Sequence, residues 1–185
     1  MRFIAVFYDD DGRITSVHEK ATENTVGDQQ YLVHDSVING EDYYVVDGVI
    51  TEKGLKPSVN HEFNYSSGEW EFSRLAAQDR KWIEIKRARS LQEFGSFEWG
   101  GYTFQCDEVS QRRIQGAVQL AMLDSTLMLD WTLADNTVQA FTAAEFEAIG
   151  QALAAHVGQC HERGRILRQE IDTATSESDL EAISW

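Results

Sequence analysis

Proline, cysteine and long apolar runs are all scarce in this 185-residue sequence, which contains one proline and two cysteines. Cys106 and Cys160 lie far apart, so a disulfide framework like that of small secreted domains is not indicated, and two reduced thiols are expected. No stretch reaches the roughly 18 to 20 apolar residues that a membrane helix needs. Residues 1–4 lead directly into a strand-like pattern without the apolar core of a signal peptide. We therefore expect a protein made in the cytoplasm, without membrane insertion.

Positive charge is scarce as well. The sequence has 16 Lys and Arg against 31 Asp and Glu, which gives a formal net charge of -15 and a pI of about 4.6. Affinity for nucleic acid depends largely on basic residues that displace counterions from phosphates, so no nucleic-acid partner is expected. The hydrophobic content of 42% is ordinary for a globular protein and is sufficient for one core or two small ones.

The first 72 residues alternate between apolar and polar side chains in short runs separated by turn signals, a pattern typical of strands. Residues 20–30 show little periodicity, and the segment 53–58, which holds the one proline, indicates an irregular connection. We interpret residues 1–72 as a β-rich attachment domain, with Tyr44 and Trp70 as candidate partner-binding residues. Three antiparallel hairpins are predicted, over residues 2–18 with a turn at 9–12, over 43–50 around Asp47 and Gly48, and over 62–72 around residues 66–68.

The period becomes helical at Ser73, and a connecting helix is predicted over residues 73–95. We predict that this helix mediates self-association or docking, through Trp82 and Ile85 on one side and basic residues such as Lys81 and Arg87 on the other. A solvated helix face is the alternative interpretation of the basic cluster. The predicted apolar side comprises Leu75, Gln78, Trp82, Ile85, Ala88 or Arg89, and Leu91 or Gln92, and the basic cluster comprises Arg74, Arg80, Lys81, Lys86, Arg87 and Arg89.

Residues 96–185 are predicted to form a helix-rich domain with short hairpins. One helix is expected from Ser110, and a long amphipathic helix is expected after Thr142, which is followed by a glutamate at capping-box spacing. The same spacing at residues 178–181 predicts a terminal turn that folds Trp185 back onto the domain. The chain is therefore predicted to be α+β, with antiparallel hairpins first, a connecting helix next and a helix-rich domain last. The further hairpins cover residues 97–104 and 127–141. The glycines Gly150, Gly158 and Gly164 inside the long helix indicate close helix packing or small kinks.

Two segments carry part of a metal-binding pattern. The turn Asp9–Gly12 has alternating carboxylates before a glycine, as a calcium loop does, but the opening and closing positions of such a loop fall on Phe7 and His18. A hairpin turn is the favoured interpretation. His156 and Cys160 are four residues apart, with His161 adjacent, and this spacing could place two zinc ligands on one face of a helix. Cys106 could approach as a third ligand, yet no fourth ligand is evident. No metal and no cofactor are predicted.

The sequence lacks the common motifs of catalytic sites. The sequence has no Gly-x-Ser-x-Gly elbow, no phosphate-binding Gly-x-x-x-x-Gly-Lys-Ser/Thr loop and no His-Glu-x-x-His helix. Neighbouring acids such as Glu41 and Asp42 are expected by chance in an acidic chain. We predict that the protein is not an enzyme and assign no catalytic residue. The alternative, an enzyme acting on surface glycans, would need a pair of carboxylates across a cleft.

The second half resembles a known family of phage proteins. Residues 97–107 read FEWGGYTFQCD, residues 110–117 read SQRRIQGA, and residues 130–136 read DWTLADN. With these segments, residues 80–185 resemble the uncharacterised domain that ends many bacteriophage tail proteins encoded beside tail-fibre genes. The β-rich first half looks like the leader modules of tail-fibre accessory and assembly proteins.

The resemblance implies a role in the phage tail but carries no catalytic residue with it. We expect a non-enzymatic tail component, made in the host cytoplasm and located in the virion tail, that acts as a structural or attachment protein. Its expected partners are a tail-fibre or baseplate protein and further copies of itself. The alternative is a tail-fibre assembly chaperone that is absent from the mature virion.

Overall fold

A computed structural model describes residues 2–185 and confirms the predicted α+β class. By its internal contacts the chain divides into an N-terminal unit, Met1–Arg74, and a C-terminal unit, Leu75–Trp185. This division falls two residues after the predicted end of the β-rich domain. The helix that was expected to form a connecting segment of its own lies, except for its first residue, in the C-terminal unit.

The N-terminal unit consists mainly of short antiparallel strands. The three predicted hairpins are confirmed, and β1 lies in the centre of a three-stranded sheet of order β2-β1-β3. Asp47 and Gly48 in the second hairpin turn both have positive φ, 51° and 74°, which is the backbone that a type I′ turn requires. The elements of residues 2–73 are β1 (Phe3–Tyr8), β2 (Ile14–Ala21), α1 (Glu23–Val26), β3 (Tyr31–His34), β4 (Tyr43–Val46), β5 (Val49–Glu52), β6 (His61–Asn64) and β7 (Glu69–Phe72).

Two elements of this unit, α1 and β3, have no counterpart in the sequence-based prediction. β3 is only four residues long, so its alternation is too short to stand out from the polar segment before it. It pairs with β1 from Ile4 opposite His34 to Phe7 opposite Tyr31. Because β1 has a neighbour on both sides, Ala5 is fully buried at its centre. The small core comprises Ala5, Phe7, Ala21 and Val26, with Phe3 and Tyr31 packed against it.

The C-terminal unit combines long helices with two hairpins, and all of the elements predicted for it are present. Strands β8 and β9 pair with each other, as do β10 and β11. The core lies among these hairpins and the helices and includes Phe104, Phe141 and Phe146, each at most 1% exposed. The elements are α2 (Arg74–Glu93), β8 (Ser96–Trp99), β9 (Tyr102–Gln105), α3 (Glu108–Leu123), β10 (Met128–Thr132), β11 (Val138–Thr142), α4 (Ala143–Thr173) and α5 (Glu177–Ala182).

Side-chain caps determine where the helices of this unit begin. The predicted capping box at α4 is confirmed, with the Thr142 backbone N–H donating to Glu145 at 2.7 Å. α3 begins earlier than the predicted Ser110, because Asp107 is its N-cap and accepts hydrogen bonds from the backbone N–H of Val109 at 2.9 Å and of Ser110 at 3.1 Å. These bonds satisfy amides that have no partner inside the helix.

The terminal helix α5 is present, but its predicted cap was wrong. Ser176 is the N-cap and Asp179 closes the capping box, in place of Ser178 and the glutamate three residues later. Both serines have the right spacing to an acid. The observed start allows Leu180 and Ile183 to be buried, with 3% and 8% of their surfaces exposed. Tertiary burial therefore selects between two equivalent local signals.

Glycines in α4 have different packing roles. A Cβ added to Gly150 would lie 2.6 Å from Val118 Cγ2, so this glycine permits the close approach of α3 and α4. At Gly164 the added atom would lie 3.3 Å from Cδ of Arg89, on α2. At Gly158 it would meet nothing within 4 Å. Close packing within the chain is thus confirmed at Gly150 and wrong at Gly158.

Candidate interaction surfaces

One side of α2 is occupied by contacts inside the C-terminal unit. Ile85 is 1% exposed and Ala77 is 3% exposed, and both belong to this inner side. Gln78 Nε2 donates to the backbone oxygen of Ile171 at 2.7 Å, near the end of α4. The guanidinium of Arg168 lies 5.3 Å from the Trp82 ring centroid. The prediction of an apolar inner side was therefore right at Trp82 and Ile85.

The assignment of Ile85 to partner docking needs correction, because a side chain that is already buried presents no surface to a partner. Trp82 is half-buried, and Lys81, also half-buried, forms an ion pair with Glu84 at 2.9 Å. Arg87 is exposed. Of these residues only Arg87 lies on the open side of the helix.

The open side of α2 exposes apolar and basic side chains, but most of them are not the residues that the sequence predicted for docking. Leu75, which was predicted on the inner side, and Leu91, one of two alternatives for that side, are each 71% exposed, and Ile83 is 62% exposed. Lys86 and Arg87, three and four residues after Ile83, are exposed as well. We call these five residues the outer face of α2. An apolar and basic surface in a chain of net charge -15 is suited to a partner that is itself apolar and acidic.

A group of polar side chains joins the end of α2 to α4. Glu93 is 9% exposed, and its carboxylate lies 3.4 Å from Nε2 of His161 and 3.9 Å from Nε of Arg89. Nε2 of His156 lies 3.1 Å from the backbone oxygen of Gln92. Both histidines of the predicted 156–161 segment thus contact α2. Because charge is buried here, the ion pair and hydrogen bonds must offset its desolvation.

The two cysteines are free and buried, Cys106 fully and Cys160 at 4% exposed. Burial raises the pKa of both thiols, and the carboxylate of Glu93 raises them further. Thiols of this kind are poor nucleophiles at neutral pH. Within residues 2–185, no group of three or more His, Cys, Asp or Glu side chains is arranged to hold a metal ion.

Tyr44 and Trp70, the candidate partner-binding residues of the N-terminal unit, contribute to an internal aromatic cluster. Phe63 is at its centre, with ring centroids 4.8 Å from Tyr44 and 5.3 Å from Trp70. Lys53 Nζ lies 4.9 Å from the ring centroid of Tyr65, and the Lys53 backbone oxygen accepts a hydrogen bond from Trp70 Nε1 at 3.0 Å. Tyr44 is only 9% exposed, so it offers little surface for docking. Trp70 keeps a partly exposed ring.

The acidic turn Asp9–Gly12 has the structure of a hairpin turn. Oδ1 of Asp9 accepts hydrogen bonds from the backbone N–H of Asp11 at 3.1 Å and of Arg13 at 2.9 Å. An aspartate that binds the backbone two residues ahead stabilises such a turn. This carboxylate is therefore engaged by its own loop.

A polar recess of about 400 Å³ lies beside β10 in the C-terminal unit. Its lining includes Arg113, Asp130, Trp131 and Asn136, and Asp130 is the one carboxylate among the lining residues. Glycoside hydrolysis uses two carboxyl groups across the scissile bond. The recess does not offer that pair.

An open groove of about 920 Å³ lies between α3 and α4. Val118, Leu153 and Val157 supply apolar lining, and Gly150 allows the two helices to approach each other closely. Sequence analysis did not identify this groove, because its lining comes from two helices that are separated in the sequence by a hairpin. We call it the α3–α4 groove. Its polar lining includes four glutamines, Gln111, Gln115, Gln119 and Gln151.

The fold and these surfaces describe an α+β protein whose helical unit presents an outer helix face and an inter-helix groove. Residues 76–184 match the model of a domain of unknown function, DUF4376. Since this match covers more than half of the chain, the protein belongs to the DUF4376 family. The chain matches no curated protein and no solved structure. Among residues 2–185, no helix combines the length and apolar character needed to cross a membrane.

Proposed function

We propose that this protein is a non-enzymatic component of a bacteriophage tail, associated with the tail fibre or baseplate as a structural or attachment protein. The observation that carries the proposal is the resemblance of residues 80–185 to the domain that ends tail-fibre-associated proteins. That segment coincides with the DUF4376 match at residues 76–184. The family description names no role, so the tail assignment rests on the resemblance.

The outer face of α2 supports an attachment role. Three large apolar side chains are exposed there, and the two cations Lys86 and Arg87 lie within about one turn of Ile83, although the sequence as a whole has nearly twice as many acids as bases. A rim of complementary charge speeds the encounter of two proteins, while apolar burial supplies affinity. We propose an acidic tail-fibre or baseplate surface as its partner.

The arrangement of the buried groups is consistent with a protein that does no chemistry. Cys160, the nucleophile nearest to a histidine on α4, is buried with a raised pKa, and the polar recess beside β10 has one carboxylate. Efficient covalent catalysis by cysteine needs an accessible thiolate. We therefore propose binding as the activity of this chain.

Mass spectrometry of purified virions tests the proposal. Particles of the phage or prophage that encodes the chain should contain it in a fixed ratio to the tail-fibre protein. A chain that is absent from mature particles but co-purifies with the fibre during assembly would instead be the assembly chaperone. Absence from both would overturn a tail role altogether.

Co-expression with the neighbouring fibre gene, followed by pull-down, tests the outer face of α2. We expect Ile83→Ser with Arg87→Glu to reduce fibre capture by at least about tenfold, because apolar contact and charge complementarity are lost together. Arg112→Glu on α3 is the control, since it reverses one exposed charge away from α2. Equal capture of the wild type and the Ile83/Arg87 variant would show that the partner binds elsewhere.

A further inference from the structure

The α3–α4 groove has an unusual charge composition for this protein. Of its twelve lining residues only Glu147 is charged, although 25% of the chain is charged. The polar lining consists mostly of glutamine amides. The groove is also bordered by exposed apolar side chains near the end of α3, since Met122, which lines it, is 73% exposed and the adjacent Leu123 is 86% exposed.

These properties favour one kind of occupant. Two chains that each carry a net charge of -15 repel each other, so a contact between identical surfaces is favoured where acids are few. In a two-fold contact the same surface is presented by both partners and must complement itself. A glutamine amide both donates and accepts hydrogen bonds, so glutamine opposite glutamine meets this condition without any opposite charge.

Gly158 adds an independent observation. It lies inside the 31-residue helix α4, where glycine is less favourable than alanine, and it lines the groove. An added Cβ there would meet nothing within 4 Å, so no contact inside the chain accounts for it. Gly150, Ala154 and Gly158 recur at intervals of four residues along the groove. The close approach of a second chain would explain why position 158 is a glycine although no contact inside the chain requires one.

We propose that the α3–α4 groove is the contact surface of a two-fold homodimer, in which α3 and α4 of two copies pack as a four-helix arrangement. Gln115, Gln119 and Gln151, which are exposed, pair across the interface, while the Gln111 amide donates inside the chain to the backbone oxygen of Cys106 at 3.0 Å. Val118, Met122 and Val157 bury apolar surface between the copies. The outer face of α2 does not take part and stays available for a different partner. This dimer is independent of the proposed tail function, because the purified 185-residue chain alone forms it.

The mass of the purified chain in solution provides the first test. Light scattering after size-exclusion chromatography should give twice the 21.0 kDa chain mass. Gln115→Glu with Gln151→Glu places like charges opposite each other and should raise the dimer dissociation constant at least about tenfold. Gln159→Glu with Gln169→Glu adds the same charge to exposed positions of α4 outside the groove and should leave the dimer intact. A wild-type monomer, or equal weakening by both double variants, would overturn the proposal.

Gly158→Leu separates an interface role from a structural one. Leucine favours the helix, Gly158 is exposed, and a Cβ added there meets nothing within 4 Å, so the helix of the monomer should be at least as stable as before. The dimer should weaken because the added side chain blocks close approach. Circular dichroism measures the first effect and light scattering the second. A variant that dimerises like the wild type contradicts the proposed contact.

Cysteine cross-linking locates the interface directly. Ala154 lines the groove and the neighbouring Ala155 does not, while both are exposed. Under a mild copper-phenanthroline oxidant, Ala154→Cys should give a disulfide-linked dimer, as two thiols lose their protons and two electrons to the oxidant. Ala155→Cys should give little, and the native cysteines are buried. Efficient cross-linking through Ala155→Cys but not Ala154→Cys would place any dimer contact on another face of α4.

Discussion

The two units of this protein are stabilised in different ways. The C-terminal unit has a continuous core that contains four buried phenylalanine rings from four different elements, β8, β9, β11 and α4, and of these Phe104, Phe141 and Phe146 are almost fully buried. The N-terminal unit has a small core around Phe7 and, apart from it, an aromatic cluster around the half-buried Phe63. Buried apolar area is the main source of folding free energy. We therefore expect the C-terminal unit to unfold at the higher denaturant concentration. With its larger core, the C-terminal unit is the one that can expose apolar contact surfaces without losing its fold.

The largest effect is expected from Phe141→Ala. The Phe141 ring lies 5.6 Å from that of Phe104, 5.4 Å from that of Tyr102 and 5.9 Å from that of Phe146. Its removal leaves a cavity in a dry core and should lower the unfolding free energy of the C-terminal unit by about 3 to 5 kcal/mol. Urea unfolding followed by far-ultraviolet circular dichroism measures it. Leu123→Ala, which truncates an 86% exposed side chain, should change the free energy by less than about 0.5 kcal/mol.

Phe63→Ala should have a smaller effect that is confined to the N-terminal unit. The substitution removes the ring shared by Tyr44, Tyr65 and Trp70 but exposes less apolar surface, since Phe63 is half-buried. We expect a loss of about 2 kcal/mol, with the helical signal unfolding at its usual midpoint. Tryptophan fluorescence in the background Trp82→Phe, Trp99→Phe, Trp131→Phe and Trp185→Phe isolates Trp70 for this measurement. If the helical signal moves with that of Trp70, the two units do not unfold separately.

Loss of the Thr142 cap should lower the unfolding free energy by a still smaller amount. Thr142→Ala removes the side-chain acceptor for the backbone N–H of Glu145, and the unit should lose about 1 kcal/mol. Thr142→Ser keeps the hydroxyl and should remain within a few tenths of a kcal/mol of the wild type, apart from the lost methyl group. Thermal unfolding of the three proteins ranks them. A serine variant as unstable as the alanine variant would assign the effect to packing of the methyl group.

Acid should affect the C-terminal unit through its capping carboxylates. Hydrogen bonds from the Ser110 hydroxyl and from backbone amides lower the pKa of Asp107, and bonds from the Thr142 backbone and hydroxyl lower the pKa of Glu145. A pKa that is lower in the folded state means that the stabilisation is complete above the unfolded value of about 4 and is lost as the pH falls through the folded value. In Asp107→Asn the unfolding free energy should fall less steeply with decreasing pH. Denaturant unfolding at several values between pH 2 and 6 measures this. An unchanged pH profile would show that Asp107 contributes little to it.

Local signals were sufficient to predict most of the elements. Asp-Gly and Ser-Ser-Gly turns, the Thr142 capping box and the change of period at Ser73 each act within a few residues, so their effect is readable without a structure. An observed helix boundary differs from the predicted one where another residue provides the cap. In α3 this residue is Asp107, which precedes the predicted start at Ser110. β3 was missed because its pairing partner lies 24 or more residues away in sequence.

The candidate surfaces were much less predictable. Helical periodicity allowed either Leu91 or Gln92 on the inner side of α2, but both are exposed and the buried residue at this end of the helix is Glu93. Ile85 was offered as a docking residue because an apolar stripe looks the same in sequence whether it faces a core or a partner. The α3–α4 groove was not visible in the sequence at all.

The sequence by itself determined the α+β class, the hairpins, the principal helices and the acidic character of this protein, because turns, caps, periodicity and charge depend on neighbouring residues. The tertiary structure decided which helix faces are covered, where Gly150 and Gly158 lie relative to other helices, and which apolar side chains remain exposed. These properties depend on the packing of segments far apart in the chain, and burial is a property of that packing rather than of any single residue.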